Sequence, residues 1–170
     1  MTHTGRALTK EQEERDGKYW SFPFYKGLEI YNQDKLILDK NIHCQLKEFG
    51  LILVEGFFDV VSLVEAGFLN VGALMGSQIS KDQIARLKLI AANVEIPKIT
   101  VFLDRDNAGY EGAQKTNSLL NNSGFQVDIF NWEQTFFNSK MQEVKIPEKI
   151  KDPGDMSANQ LQWLRGKNKI

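Results

Sequence analysis

The 170-residue chain is predicted to fold as an α/β protein: an open, mostly parallel sheet with helices on both faces, plus a small N-terminal subdomain. Three observations predict it. Short apolar runs rich in β-formers recur at Leu51–Val54, Val71–Leu74 and Ile99–Leu103. Stretches of roughly ten residues with helical spacing of apolar side chains lie between them. Glycine or proline punctuates the junctions, at Gly56, Gly67, Gly76, Pro97 and Gly124.

Taken in order, residues 1–48 form an N-terminal extension. It opens without clear alternation and holds the aromatic-rich stretch KYWSFPFYKG. Residues 28–48 are partly helical in pattern, with Leu28, Leu36, Leu38 and Leu46 recurring. The main unit spans 49–156. Its first strand, Leu51–Val54, stops at Glu55-Gly56, and a helix follows from Asp59 with Val60, Leu63 and Val64 on one face. After the Val71–Leu74 strand, Ser80 with Gln83 makes a capping box, and Ile84, Leu87 and Ala91 give that helix its stripe. Ile99–Leu103 is the third strand, ending at Asp104. A helix over Gly109–Leu120 follows, then a more exposed alternating strand over Phe125–Phe130. Residues 131–152 read as polar and irregular. Residues 157–170 are a C-terminal helix and tail, helical from Ser157 to Arg165.

Composition narrows the function. Apolar residues make up 42% and charged residues 25%, which excludes disorder as the main theme. Twenty-one basic side chains face 22 acidic ones, which excludes a polybasic binder. One cysteine, Cys44, allows neither a disulfide framework nor a Cys-rich zinc module. No apolar run approaches the ~20 residues of a membrane span, and the N-terminus lacks a signal peptide's apolar stretch. A reducing cytoplasm is the expected location. Lys140, Lys145, Lys149 and Lys151 are read as a solvated face, with a polyanion contact as the alternative. Tyr19, Trp20, Phe22, Phe24 and Tyr25 either pack or stack on bases. Phe57 and Phe58 are expected beneath the site, His43 and Cys44 are structural, and Trp132, Phe136 and Phe137 cover a sheet edge or meet a partner.

The acids carry the chemistry. Residues 51–110 hold 7 acidic and 5 basic side chains. One strand ends at Glu55, followed by Asp59, and another at Asp104, followed by Asp106. Ligands of open α/β sheets bind at the carboxyl ends of the strands, so these acids converge. Converging carboxylates repel unless some are protonated or a cation joins them. Oxygen-only ligation selects a hard ion, Mg²⁺ or Mn²⁺. Gly109 lets the backbone turn into the next helix, whose positive end favours phosphate. Asp152-Pro153-Gly154-Asp155 is a tight turn flanked by two further acids.

Val54-Glu55-Gly56-Phe57-Phe58-Asp59-Val60, Asp104-Arg105-Asp106-Asn107-Ala108-Gly109 and Lys151-Asp152-Pro153-Gly154-Asp155 together resemble the three motifs of the Toprim domain, a Rossmann-like fold of bacterial replicative primases, topoisomerases and some nucleases. The spacing and the Ala73–Ser77 segment most resemble the primase branch. Upstream, Gly5–Leu8, Lys18-Tyr19 and Tyr25–Tyr31 resemble the stretch that precedes Toprim in a primase core. The resemblance implies Glu55 as general acid/base, with Asp104 and Asp106 as the other catalytic acids. It implies Mg²⁺ or Mn²⁺ held among Glu55, Asp59, Asp104, Asp106, Asp152 and Asp155, and no zinc. Arg6, Lys18 and Lys26 would line the template and nucleotide groove. Arg105 replaces the glycine usual in primases and pairs with a phosphate or with a neighbouring acid. The implied function is metal-dependent phosphoryl transfer on nucleic acid, foremost RNA primer synthesis from NTPs on a single-stranded DNA template. A nuclease and a non-catalytic subunit are the alternatives. The resemblance also implies a fragment, a reduced relative, or a subunit whose protein partner supplies template binding or a helicase.

Overall fold

The computed structural model describes residues 4–16, 19–21, 25–137, 142–166 and 170. In chain order its elements are β1 (Thr4–Arg6), α1 (Lys10–Asp16), β2 (Tyr19–Ser21), α2 (Gln33–Leu38), α3 (Lys40–Phe49), β3 (Leu51–Val54), α4 (Phe57–Glu65), β4 (Val71–Ala73), α5 (Lys81–Asn93), β5 (Ile99–Val101), α6 (Asn107–Asn121), β6 (Val127–Ile129), β7 (Thr135–Phe137), β8 (Glu143–Lys145), a single 3-10 turn (Pro153–Asp155) and α7 (Ala158–Gly166). Strands β4-β3-β5-β6 form one sheet, all pairs parallel. β1 with β2, and β7 with β8, are two antiparallel ribbons.

Alternation of side chains along each strand divides the interior in two. Leu51, Leu53, Ile99, Val101 and Leu103 face a core closed by α2, α3, α5 and α6, through Leu36, Leu46, Leu87 and Leu120. Ile52, Val54, Val71 and Phe102 face the other core, closed by α4, α7 and the β7–β8 ribbon, through Leu63, Leu161 and Phe136. β3 is buried along its whole length because both faces are covered, which is why it reads as an unbroken apolar run. The segment before α2 joins the sheet edge: Tyr31 and Ala73 exchange backbone hydrogen bonds of 2.9 and 3.3 Å.

Several sequence expectations need correction. Residues 131–152 are not simply irregular: they include the β7–β8 ribbon, and Trp132 and Phe136 are buried in the second core. The N-terminal stretch contains β1, α1 and β2, whose three-residue strands are too short to alternate visibly. Helix α6 starts at Asn107, so Gly109 lies inside it rather than at the turn. Gly109 is required by close approach: a Cβ there would sit 2.1 Å from the Asp104 carbonyl oxygen. Phe58 is half exposed and meets the tilted Phe57 ring at 4.2 Å, so it is not buried beneath the site as expected. His43 is structural as expected, with Nε2 3.1 Å from the carbonyls of Leu36 and Ile37.

Candidate metal centre

The sheet order creates the site. The chain runs from β3 outward to β4, then crosses back to lay β5 on the other side of β3. The two central strands therefore diverge in their connections at their carboxyl ends, the place where open α/β sheets bind ligands. Glu55 follows β3 and Asp104 lies just beyond β5, and these strands are hydrogen-bonded neighbours. The two acids thus leave adjacent strands at one edge.

Helix α4 places Asp59. The helix is capped by Gly56, and Asp59 Oδ2 accepts from the Gly56 N–H at 3.0 Å. Asp59 Oδ1 accepts from the Gly154 N–H at 3.3 Å, which brings the third acidic segment onto α4. Within that segment Asp152 accepts from the Asp155 N–H at 2.8 Å, and Asp155 turns back to accept from the Lys151 N–H at 2.9 Å. Asp106 is the N-cap of α6 and accepts from the Gly109 N–H at 2.8 Å.

Asp104 is different. Its Oδ1 is buried and has no hydrogen-bond partner. Burial first, then the charges of Glu55, Asp59, Asp152 and Asp106, push its carboxyl up to about 7. Burial also drives Asp59 up, to about 6, against the opposing amides of Gly56 and Gly154. Glu55 is raised by burial and by Asp106. The structure thus brings Glu55, Asp59, Asp104, Asp106 and Asp152 into one electrostatic cluster, and leaves Asp155 facing its own turn. Among the described residues no three acids, histidines or cysteines are assembled as a finished ligand set. Backbone amides hold three of these five acids, Asp59, Asp106 and Asp152, and mutual repulsion opposes closer approach. An orphaned carboxylate oxygen among four more acids still fits a hard cation.

The basic residues are less concentrated. Lys26 is exposed on a turn fastened to the start of α5, where Ser80 Oγ donates to the Gly27 carbonyl. Fully buried Gln83 donates through Nε2 to the carbonyls of Lys26, Glu29 and Leu74 at 3.3, 3.0 and 2.7 Å. Gln83 was legible only as half of a capping box; its second task, pinning the Lys26 turn to the end of β4, has no local signal. Arg6 lies on β1, and Lys18 lies outside the described residues. Of the two readings of Arg105, the structure has the acid pair: Nη2 donates to Glu133 Oε1 at 2.9 Å.

Residues 52–140 match the family described as Toprim-like. The chain belongs to that family. Over 131 residues this Toprim-like chain is 34% identical to the DNA primase of Staphylococcus epidermidis, a match that covers 75% of this chain and 20% of that protein. The chain spans about a fifth of the length of the curated relatives it matches. Among solved structures it resembles the Aquifex aeolicus primase, zinc binding and RNA polymerase domains, with a TM-score of 0.66 at 23% identity over 96% of this chain and 36% of that one. A DnaG primase catalytic domain bound to ssDNA is similar with a TM-score of 0.62 at 21% identity, over 97% of this chain and 45% of that one. These likenesses confirm the Toprim fold expected from the motifs. No helix among the described residues is long and apolar enough to cross a membrane.

Proposed function

We propose that this chain is the metal-dependent phosphoryl-transfer part of a primase, making RNA primers from NTPs on single-stranded DNA during replication in the cytoplasm. The observation that carries the reading is the buried, unpartnered Asp104 Oδ1 in the middle of four other acids. The relatives' name supplies the reaction class, and a related catalytic domain bound to ssDNA supports the template. Residues 49–156 form the Toprim unit, with 1–48 and 157–170 as flanking segments.

Asp104 and Asp106 hold Mg²⁺ or Mn²⁺, with Asp59 and Asp152 completing the negative field; zinc has no part. A divalent cation there stabilises charge on phosphate oxygens. Glu55, half-buried with its pKa raised, is suited to take the proton of an attacking 3′-hydroxyl. Its place at the end of β3 holds it beside Asp104, so base and phosphate site keep a fixed spacing. Lys26, exposed on the turn fastened to the end of β4, meets the triphosphate or the template, and the resemblance to primases assigns Arg6 and Lys18 to the same role. Asp59 serves mainly to lock the third acidic segment in place, through the Gly154 N–H.

A paired assay with Mn²⁺ tests this. One reaction holds single-stranded DNA and labelled NTPs; the other holds labelled DNA and RNA without NTPs. New short oligonucleotides, lost in Glu55→Gln, are expected. Shortened strands without synthesis would make the chain a nuclease. Full product from a folded Glu55→Gln protein would overturn the site assignment.

A further inference from the structure

Arg105 stands between the two acids at the end of β5, yet its guanidinium reaches across to a different part of the chain. Nη1 donates to the carbonyl oxygens of Ile146 and Pro147, at 3.2 Å each. Nη2 donates to Glu133 Oε1 at 2.9 Å. The guanidinium carbon lies 5.8 Å from the Trp132 ring centroid, and Trp132 is itself fixed by its Nε1–H to the Leu103 carbonyl at 3.1 Å. The Arg105 side chain is only 11% exposed. Its own backbone N–H donates to the Lys151 carbonyl at 2.6 Å.

We propose that Arg105 is a positioning residue: it holds both ends of the Pro147–Lys151 loop and so sets where Asp152 stands relative to Asp104. The guanidinium fixes the start of the loop at Ile146 and Pro147. The backbone amide fixes its end at Lys151, one residue before Asp152. Between these points the loop is short and closed, with the Ile150 N–H donating to the Pro147 carbonyl at 3.0 Å and Ile146 and Ile150 both buried. Asp152 therefore has little room to move against the strand end that carries Asp104.

The contacts need an arginine. Two carbonyls and a carboxylate are met from one rigid plane of donors, which a lysine ammonium cannot reproduce. The Glu133 pair alone would matter little, since Glu133 is 64% exposed. The two carbonyl contacts, shielded by Trp132, give the direction. This inference rests on the reading of the acids as a metal centre, because it is the spacing of those acids that the loop controls.

The test is a double-mutant cycle read as Mn²⁺ affinity by calorimetry on folded protein, checked by circular dichroism. Arg105→Ala is expected to weaken Mn²⁺ binding about tenfold, the scale found for residues that orient metal ligands. Arg105→Lys should recover only part of that. In an Asp152→Asn background Arg105→Ala should add almost no further loss, because its effect passes through Asp152. A general loosening of the fold would not show this dependence. Equal affinity in Arg105→Ala and the parent, or full additivity with Asp152→Asn, overturns the inference while leaving the metal reading intact. Failure of the parent chain itself to bind Mn²⁺ overturns both. Should Arg105→Ala not fold, Arg105→Lys, which keeps the side-chain stem but loses the planar fork of donors, replaces it in the same cycle. A smaller loss of the same sign is then expected, and affinity equal to the parent's overturns the inference.

Discussion

The interior of the parallel sheet and its carboxyl edge lie a few residues apart in the same strands, under opposite conditions. Within the strands, Ile52, Val54 and Val101, with Phe102 just past β5, are completely buried against apolar neighbours. At the edge, Asp104 keeps a buried oxygen with no partner, and burial first, then four nearby acids, raise its pKa. The first environment stabilises the fold; the second opposes it until something positive arrives. The contrast teaches that the sheet is a frame strong enough to hold charges together that would otherwise separate.

The sharpest way to break the comparison is to cut the frame. Phe102 stacks on Phe130 at 3.8 Å and meets the tilted Trp132 ring at 5.2 Å. Phe102→Ala should cost about 3–5 kcal/mol in denaturant unfolding. A loss under about 1 kcal/mol would mean this face is not packed as described. Next comes the joint between frame and edge. In an open helix, Gly→Ala gains up to about 1 kcal/mol. Gly109→Ala should instead lose about 1–3 kcal/mol, since the new methyl would meet the Asp104 carbonyl at 2.1 Å. A more stable Gly109→Ala protein would show that α6 does not press on the strand end.

The smallest change should act in the opposite direction. Asp104 and Asp59 have folded values of about 7 and about 6 against an ordinary 3.8, so the folded chain keeps protons that the unfolded chain has released. Without metal, the stability tied to these groups is fully present below about pH 4 and is lost as the pH rises through 6 and 7. Asp104→Asn should therefore raise the melting temperature of the metal-free protein at pH 8 and flatten its decline between pH 5 and pH 8. A variant that melts lower than the parent at pH 8 would show that the charge on Asp104 is not a burden.

How much of this was legible in the sequence follows from the range of the forces involved. The run Leu51–Val54 announced a buried strand, and Ser80 with Gln83 announced a helix start, because each depends on neighbours in the chain. Glu55 and Asp104 could be placed at one edge because parallel strands end together. The β7–β8 ribbon could not be read, since two three-residue strands leave no period to detect. Arg105 could not be resolved either. Its partners, Ile146 and Pro147, lie about forty residues away, and only the folded loop brings their carbonyls to it. Asp155 looked equivalent to Asp152 in sequence, but the tight turn sends its carboxylate back to the Lys151 amide.

The most direct test of the metal centre is the melting temperature of the metal-free chain with and without saturating Mn²⁺, at pH 8 and at pH 5. At pH 8 the acids are ionised and crowded, so Mn²⁺ should raise the melting temperature clearly. At pH 5, where Asp104 and Asp59 hold their protons, the rise should shrink, and in Asp104→Asn it should be small at both values. A melting temperature indifferent to Mn²⁺ at pH 8, or a rise of the same size in Asp104→Asn, would contradict a metal centre at this edge.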